Sequence, residues 1–287
     1  MNLIHGHAIL LAAFGVGLAA PAAAQASDPC ALTPVLIEDF KTDRIAAHAI
    51  GPAKWTAHTP WNGDFGDAAF GDPTVNSPFS FGPEGLTITA SKDDAGHWRS
   101  GLIAAADASG AGEGTRYGYF EARMRLPPGP GTWPAFWLAA LRPVNKEPGA
   151  DKRGAVEIDV IEYYGKFNDG YRATVHGWYA DPSRTWSKDQ VISVPPGSLT
   201  SAFHTYGVDV SPQGLQFLLD GKVVWRQPTP PELDGPLYPI VNLALGSGWP
   251  IVDTPNPSKL VVNYVHVYGR GPGPAEGCPV GDGSQAK

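Results

Sequence analysis

Charge, sulfur and long apolar runs are all scarce in this chain, and each scarcity removes a class of function. Charged residues fill 17% of the 287 positions, and no Asp, Glu, Lys or Arg occurs before Asp28. The formal net charge of -7 speaks against nucleic acid as a partner, because a polyanion rewards a basic face. The two cysteines, Cys30 and Cys278, stand at opposite ends of the chain once a leader is removed. Two distant sulfurs do not make a metal centre. In an oxidising compartment they are expected to pair as a disulfide if the termini meet, the alternative being two unpaired thiols on loose tails. The uncharged apolar run from Ala8 to Ala20 holds thirteen residues. A bilayer needs roughly 20, so no membrane span is expected. With Pro21 and the small residues Ala22 to Ala26 behind it, the run reads as an export signal over residues 1–24, giving a secreted or periplasmic protein. "PPGPGT", Pro127 to Thr132, lacks the Gly-Lys-Ser/Thr that cradles phosphate, and no His-Glu-x-x-His is present to hold zinc.

Sustained helical periodicity is missing as well. Abundant instead are 35 Gly, 29 Pro, 9 Trp, 10 Tyr and 11 Phe, a composition suited to many short strands joined by tight turns. Period-2 segments recur at 86–90, 118–126, 172–178, 205–210, 215–219, 223–225, 239–245 and 260–268. Asp220-Gly221 marks a hairpin turn between two of them. In the 118–126 segment Phe120, Ala122, Met124 and Leu126 share one face, while Tyr119, Glu121, Arg123 and Arg125 share another that is expected to be wet. The economical architecture is all-β, two antiparallel sheets packed face to face. With no repeat or internal linker, residues 27–270 read as a single domain, and 271–287 as a Gly/Pro-rich tail carrying Cys278.

Within this framework "VEIDVIEYYG", Val156 to Gly165, crowds Glu157, Asp159 and Glu162 among Ile158, Val160 and Ile161. On a helix the acids would stand at about 0°, 200° and 140° around the axis, with Glu157 facing away from the others. On a regular strand Glu157 and Asp159 share a face, but Glu162 turns inward, where an unpaired carboxylate is costly. One extra residue, a β-bulge near Val160-Ile161, returns Glu162 to that face. A row of three carboxylates resists full ionisation, which suits hydrolysis of a glycosidic bond, where one carboxylate attacks and a protonated one acts as acid. An exposed acidic face or an oxygen-ligand metal site is the plainer alternative. Nearby, "GTWPAFWLAA", Gly131 to Ala140, places Trp133, Ala135 and Trp137 on one side if extended, a plausible floor for sugar rings.

Seven blocks in order, "WRSGLIAA", "YGYFEARMRLPPGPGTWPAFWL", "VEIDVIEYYG", "ATVHGW", "FHTYGVDVSPQGLQFLLDGK", "NLALGSGWP" and "NYVHVY", resemble glycoside hydrolase family 16 over nearly the whole chain after the leader. The resemblance implies a β-jelly-roll sandwich with an open cleft on the concave sheet and retaining endo-hydrolysis of a β-linked polysaccharide. It makes Glu157 the nucleophile, Asp159 its helper and Glu162 the acid/base, in the bulged branch that includes laminarinases, agarases and carrageenases. It also places Trp133, Trp137, His176, Trp249 and Arg99 in the cleft. Where many relatives carry an Asp for a structural calcium ion, this chain has Asn263, whose neutral amide weakens that site. No cofactor is required and a monomer is expected. The implied substrate is a β-1,3 or mixed β-1,3/1,4-glucan or a succinoglycan-type exopolysaccharide. A galactan hydrolase, a transglycosylase and a non-catalytic lectin remain the alternatives.

Overall fold

The computed structural model describes residues 31–42, 44–61, 63–144 and 154–271. The leader, Cys30 and Cys278 lie outside these residues, as does the tail beyond 271. The strands are β1 (Leu32–Glu38), β2 (Ile45–Ala46), β3 (Trp55–Thr56), β4 (Ala69–Phe70), β5 (Phe79–Gly82), β6 (Gly85–Lys92), β7 (Trp98–Ala104), β8 (Gly118–Arg125) and β9 (Thr132–Ala140). They continue with β10 (Ala155–Glu162), β11 (Gly170–Trp178), β12 (Trp186–Ser193), β13 (His204–Val210), β14 (Leu215–Leu219), β15 (Lys222–Gln227), β16 (Leu237–Leu245) and β17 (Ser258–Arg270). A single helical turn, α1 (Ser198–Ser201), and a 3-10 turn at Pro182–Arg184 interrupt them. Among the described residues no helix is long and apolar enough to cross a membrane.

Two sheets result. The front sheet runs β12-β11-β10-β9-β16-β7-β3-β2. The back sheet runs β5-β6-β17-β8-β13-β14-β15, with β1 taking over from β6 along the later part of β17. Pairing of β6 with β7 joins them along one border. Every pair is antiparallel except β2 with β3 and β4 with β7. Alternation decides what lies between the sheets: Phe136, Leu138 and Ile158 from the front and Phe120, Ala122 and Met124 from the back are all fully buried. Each large apolar side chain among them contributes about 1.5–3 kcal/mol on burial. Asp220 and Gly221 both adopt positive φ, 49° and 75°, the mirror-image turn that fits the twist of the β14–β15 hairpin.

One expectation fails on β8. Tyr119 and Glu121, assigned to a wet face, are 1% and 5% exposed. Register explains this: Tyr268, His266 and Tyr264 of β17 stand beside Tyr119, Glu121 and Arg123 and roof them, while Gly207 on the other flank leaves room for the Tyr119 ring. A β-carbon on Gly207 would come within 2.5 Å of the Tyr119 hydroxyl.

Candidate active site

The acidic row stands on β10, near the middle of the front sheet. Against β9, Asp159 pairs with Trp137 but Ile161 pairs with Phe136, so Val160 is the extra residue. Val160 and Ile161 both turn into the core, at 1% and 0% exposure. Beyond them Glu162 is back in phase. Glu157, Asp159 and Glu162 stand opposite Ala139, Trp137 and Ala135 of β9 and opposite His176, Thr174 and Arg172 of β11. Those partners alternate on unbulged strands, so the three acids share one face, the one turned away from the core. The bulge read from the sequence is therefore present.

Neighbouring strands then supply polar contacts. Trp133 Nε1 donates to Glu162 Oε1 at 3.2 Å, and the Tyr164 hydroxyl donates to the same oxygen at 3.1 Å. Thr174 Oγ1 lies 3.4 Å from Glu162 Oε2. His176 Nε2 is 3.1 Å from Asp159 Oδ2 and 3.9 Å from Glu157 Oε1, with its ring stacked on Trp178 at 4.8 Å. Trp137 is nearly buried, and its Nε1 donates to Asn242 Oδ1 on β16 at 2.8 Å. Phe65 packs on both tryptophans, its ring 5.4 Å from Trp133 and 6.2 Å from Trp137, and Trp61 lies 6.0 Å from Trp137.

Burial and repulsion from neighbouring acids raise the proton affinity of Glu157 and Asp159. Desolvation first, then the charge of Asp159, push Glu157 up to about 8; His176 and the Trp178 side chain oppose this, and Glu162 adds a smaller repulsion. Asp159 is pushed well above the usual carboxylate range by burial and by Glu162. The Glu157 side chain keeps 23% of its exposure, so water returns part of that shift. The protons of neighbouring acids in this row are therefore coupled, Asp159 raising Glu157 and Glu162 raising Asp159. A proton on Asp159 removes the second-largest cause of the rise at Glu157, while desolvation, the largest, remains. Burial and Glu162 raise Tyr164, which stays a phenol able to donate.

The row is flanked by two hollows. One, of about 610 Å³, opens at Glu162 and is lined by Tyr164, Arg172, Thr174, His176 and Trp249. The other, of about 330 Å³, opens at Glu157 between Trp61, Trp178 and Tyr238. Trp249 lies edge-on to Phe167 at 5.3 Å under the Lys166 ammonium. Of the residues singled out in the sequence, Trp133, Trp137, His176 and Trp249 come to the cleft. Arg99 does not join the row: its side chain is 55% exposed and ion-paired with Asp93 at 3.1 Å. Tyr164, Trp178, Asn242, Trp61 and Phe65 were missed. Tyr164 carried a readable signal, being two residues beyond Glu162.

Asn263 is the extra residue of a bulge in β17, and its Nδ2 donates to the Glu84 carbonyl at 3.0 Å. Asp39, which lines the same hollow, is held by Lys41 Nζ at 3.5 Å and His266 Nε2 at 3.0 Å. An ammonium and an imidazole compete there for the carboxylate a calcium ion would use, so these residues fit calcium poorly.

A jelly-roll sandwich with a bulged acidic row beneath indoles defines a class of carbohydrate-active domain. The model for glycosyl hydrolases family 16 matches residues 76–266, and the chain belongs to that family. It is 29% identical over 266 residues to the endo-1,3-1,4-beta-glycanase EglC of Rhizobium meliloti (strain 1021), covering 85% of this chain and 53% of that relative. It is 32% identical over 167 residues to a beta-glucanase of Rhodothermus marinus, covering 53% and 57%. Thus the chain spans about half the length of these curated relatives. In three dimensions it resembles the laminarinase catalytic domain of Thermotoga maritima MSB8, with TM-score 0.65, 21% identity, and coverage of 84% of this chain and 99% of that one. The laminarinase of Rhodothermus marinus gives TM-score 0.63, 24% identity, and coverage of 84% and 98%.

Proposed function

We propose that the chain is a retaining endo-glycoside hydrolase that cuts internal β-1,3 or mixed β-1,3/1,4 linkages of a glucan, or of a succinoglycan-type exopolysaccharide. The observation that carries this reading is the bulge at Val160, which sets Glu157 and Glu162 on one face with Asp159 between them. Four strand steps separate the two glutamates, roughly 13 Å between Cα atoms, and two such side chains leaning together approach the roughly 5 to 5.5 Å of a retaining pair.

In this mechanism Glu157, in its anionic form, attacks the anomeric carbon, with Asp159 beside it. Glu162 protonates the departing glycosidic oxygen and then takes a proton from the water that releases the glycosyl-enzyme. The Trp133 indole N–H can only donate, so Oε1 of Glu162 is an acceptor. Both roles are filled by carboxylates, so no cofactor is required. The EglC relative, named an endo-1,3-1,4-beta-glycanase, supports the glucan as substrate. The same reading includes export to the periplasm or beyond, and action as a monomer.

Glu157→Gln and Glu162→Gln should each lower release of reducing ends from mixed-linkage glucan by at least about 10², and proton NMR of the first product should show a retained β-anomer. Near wild-type cleavage by either variant would overturn the assignment. Tight glycan binding by the wild type without cleavage would favour a lectin.

A further inference from the structure

Away from the carboxylate row, a second group of metal-ligating side chains converges where the first short strands end. His48, His58 and Asp72 each stand two residues past a strand, β2, β3 and β4 respectively. Strands β2 and β3 pair in parallel with Ile45 beside Trp55 and Ala46 beside Thr56, so the chain delivers His48 and His58 at the same height. Their rings lie 4.8 Å apart, close to the spacing of neighbouring strands. One ligand atom from each of the three residues lies within 4.8 Å of the others. His58 Nε2 is 3.2 Å from Asp72 Oδ1, and its Nδ1 is 3.4 Å from Asp64 Oδ1. A hollow of about 510 Å³ opens beside His48, His58 and Asp64.

We propose that His48, His58 Nε2 and Asp72 bind one divalent transition-metal ion, zinc being the probe, with Asp64 orienting His58 from behind. Two imidazoles and a carboxylate are a nitrogen/oxygen set that suits zinc better than calcium or magnesium. The Nε2–Oδ1 separation already matches the edge of a zinc tetrahedron, roughly 3.3 Å for ligands at 2.0–2.1 Å. His48 is exposed and can close the remaining gap by turning its ring. A carboxylate on the other ring nitrogen is the usual arrangement behind a metal-bound histidine. Between His58 and Asp72 the chain makes the excursion that lays Trp61 and Phe65 against the cleft tryptophans. An ion held at both ends of that excursion pins the aromatic wall of the cleft.

The test uses the full chain, stripped with chelator and dialysed against zinc alone. Wild type should take up one ion lost in His48→Ala, a change at an exposed residue that leaves the His58 hydrogen bonds in place. Asp64→Asn should bind about 10- to 100-fold more weakly. At zinc about 100-fold above Kd, the thermal midpoint should rise by roughly 5 °C in wild type and not in His48→Ala. Hydrogen exchange across 59–71 should slow with zinc in wild type alone. No saturable binding, or wild-type binding by His48→Ala, which would place the ion at Glu157, Asp159 and His176 or elsewhere, overturns the site. Binding without slower exchange overturns the pinning of the excursion.

Discussion

At the scale of single residues, the site depends on what each carboxylate can share. Glu157 binds its proton more tightly when folded, up to about 8 against an ordinary 4.5. Between those values the unfolded chain has released a proton that the folded one keeps, so stability falls as pH rises through the window and is level below it. At 1.36 kcal/mol per unit, the upper bound is about 5 kcal/mol, reduced by the exposure Glu157 retains. Glu157→Gln should therefore gain in thermal midpoint over wild type as the pH is raised from 5 to 8.5, and a constant difference across that range would contradict the raised proton affinity of Glu157. Trp133 tests a different contact. Trp133→Phe keeps a ring and deletes the N–H to Glu162, and a hydrogen bond to such a group contributes about 1.5–3 kcal/mol. We expect kcat to fall roughly 10-fold with little change in KM, measured by steady-state kinetics on mixed-linkage glucan.

Among the elements, β10 carries the decisive irregularity. Deleting Val160 removes the bulge and leaves Glu162 two residues after Asp159, still on the cleft face by simple alternation. The variant should fold and keep measurable cleavage, while losing about 2–4 kcal/mol from the missing core side chain, as read by denaturant unfolding. Complete loss of activity in a well-folded variant would show that the bulge sets more than the face. This part of the site was legible because charge and apolarity alternate at close range, and a phase error within six residues has one cheap repair. Elsewhere the local signal was thin. Strand β12 is a border strand exposed along most of its length, so no buried period marks it, and β1 contains Pro34 next to a shift in register. Asn242 beneath Trp137, and Trp61 and Phe65 above it, are brought there by pairings and packing that no local pattern announces. The wet face expected on β8 failed for the same reason, its cover coming from β17.

Over the whole molecule, a buried ion pair ties two strands of the back sheet on the face turned away from the core. Arg270, at the end of β17, reaches both oxygens of Asp209 on β13, at 3.0 and 2.7 Å, with both side chains nearly out of contact with water. Arg270→Ala withdraws the guanidinium from a buried carboxylate, and a loss of about 3–5 kcal/mol is expected in urea unfolding. A loss below 1 kcal/mol would mean that the strands close without it. At the opposite face, one oxygen of Glu162 answers to two aromatic rings that lie almost parallel, Trp133 and Tyr164, inclined by 15°. On the proposed function, a sugar that presses on either ring tugs on that oxygen, so grip and proton delivery are geared together, and a chain that seats badly idles the acid.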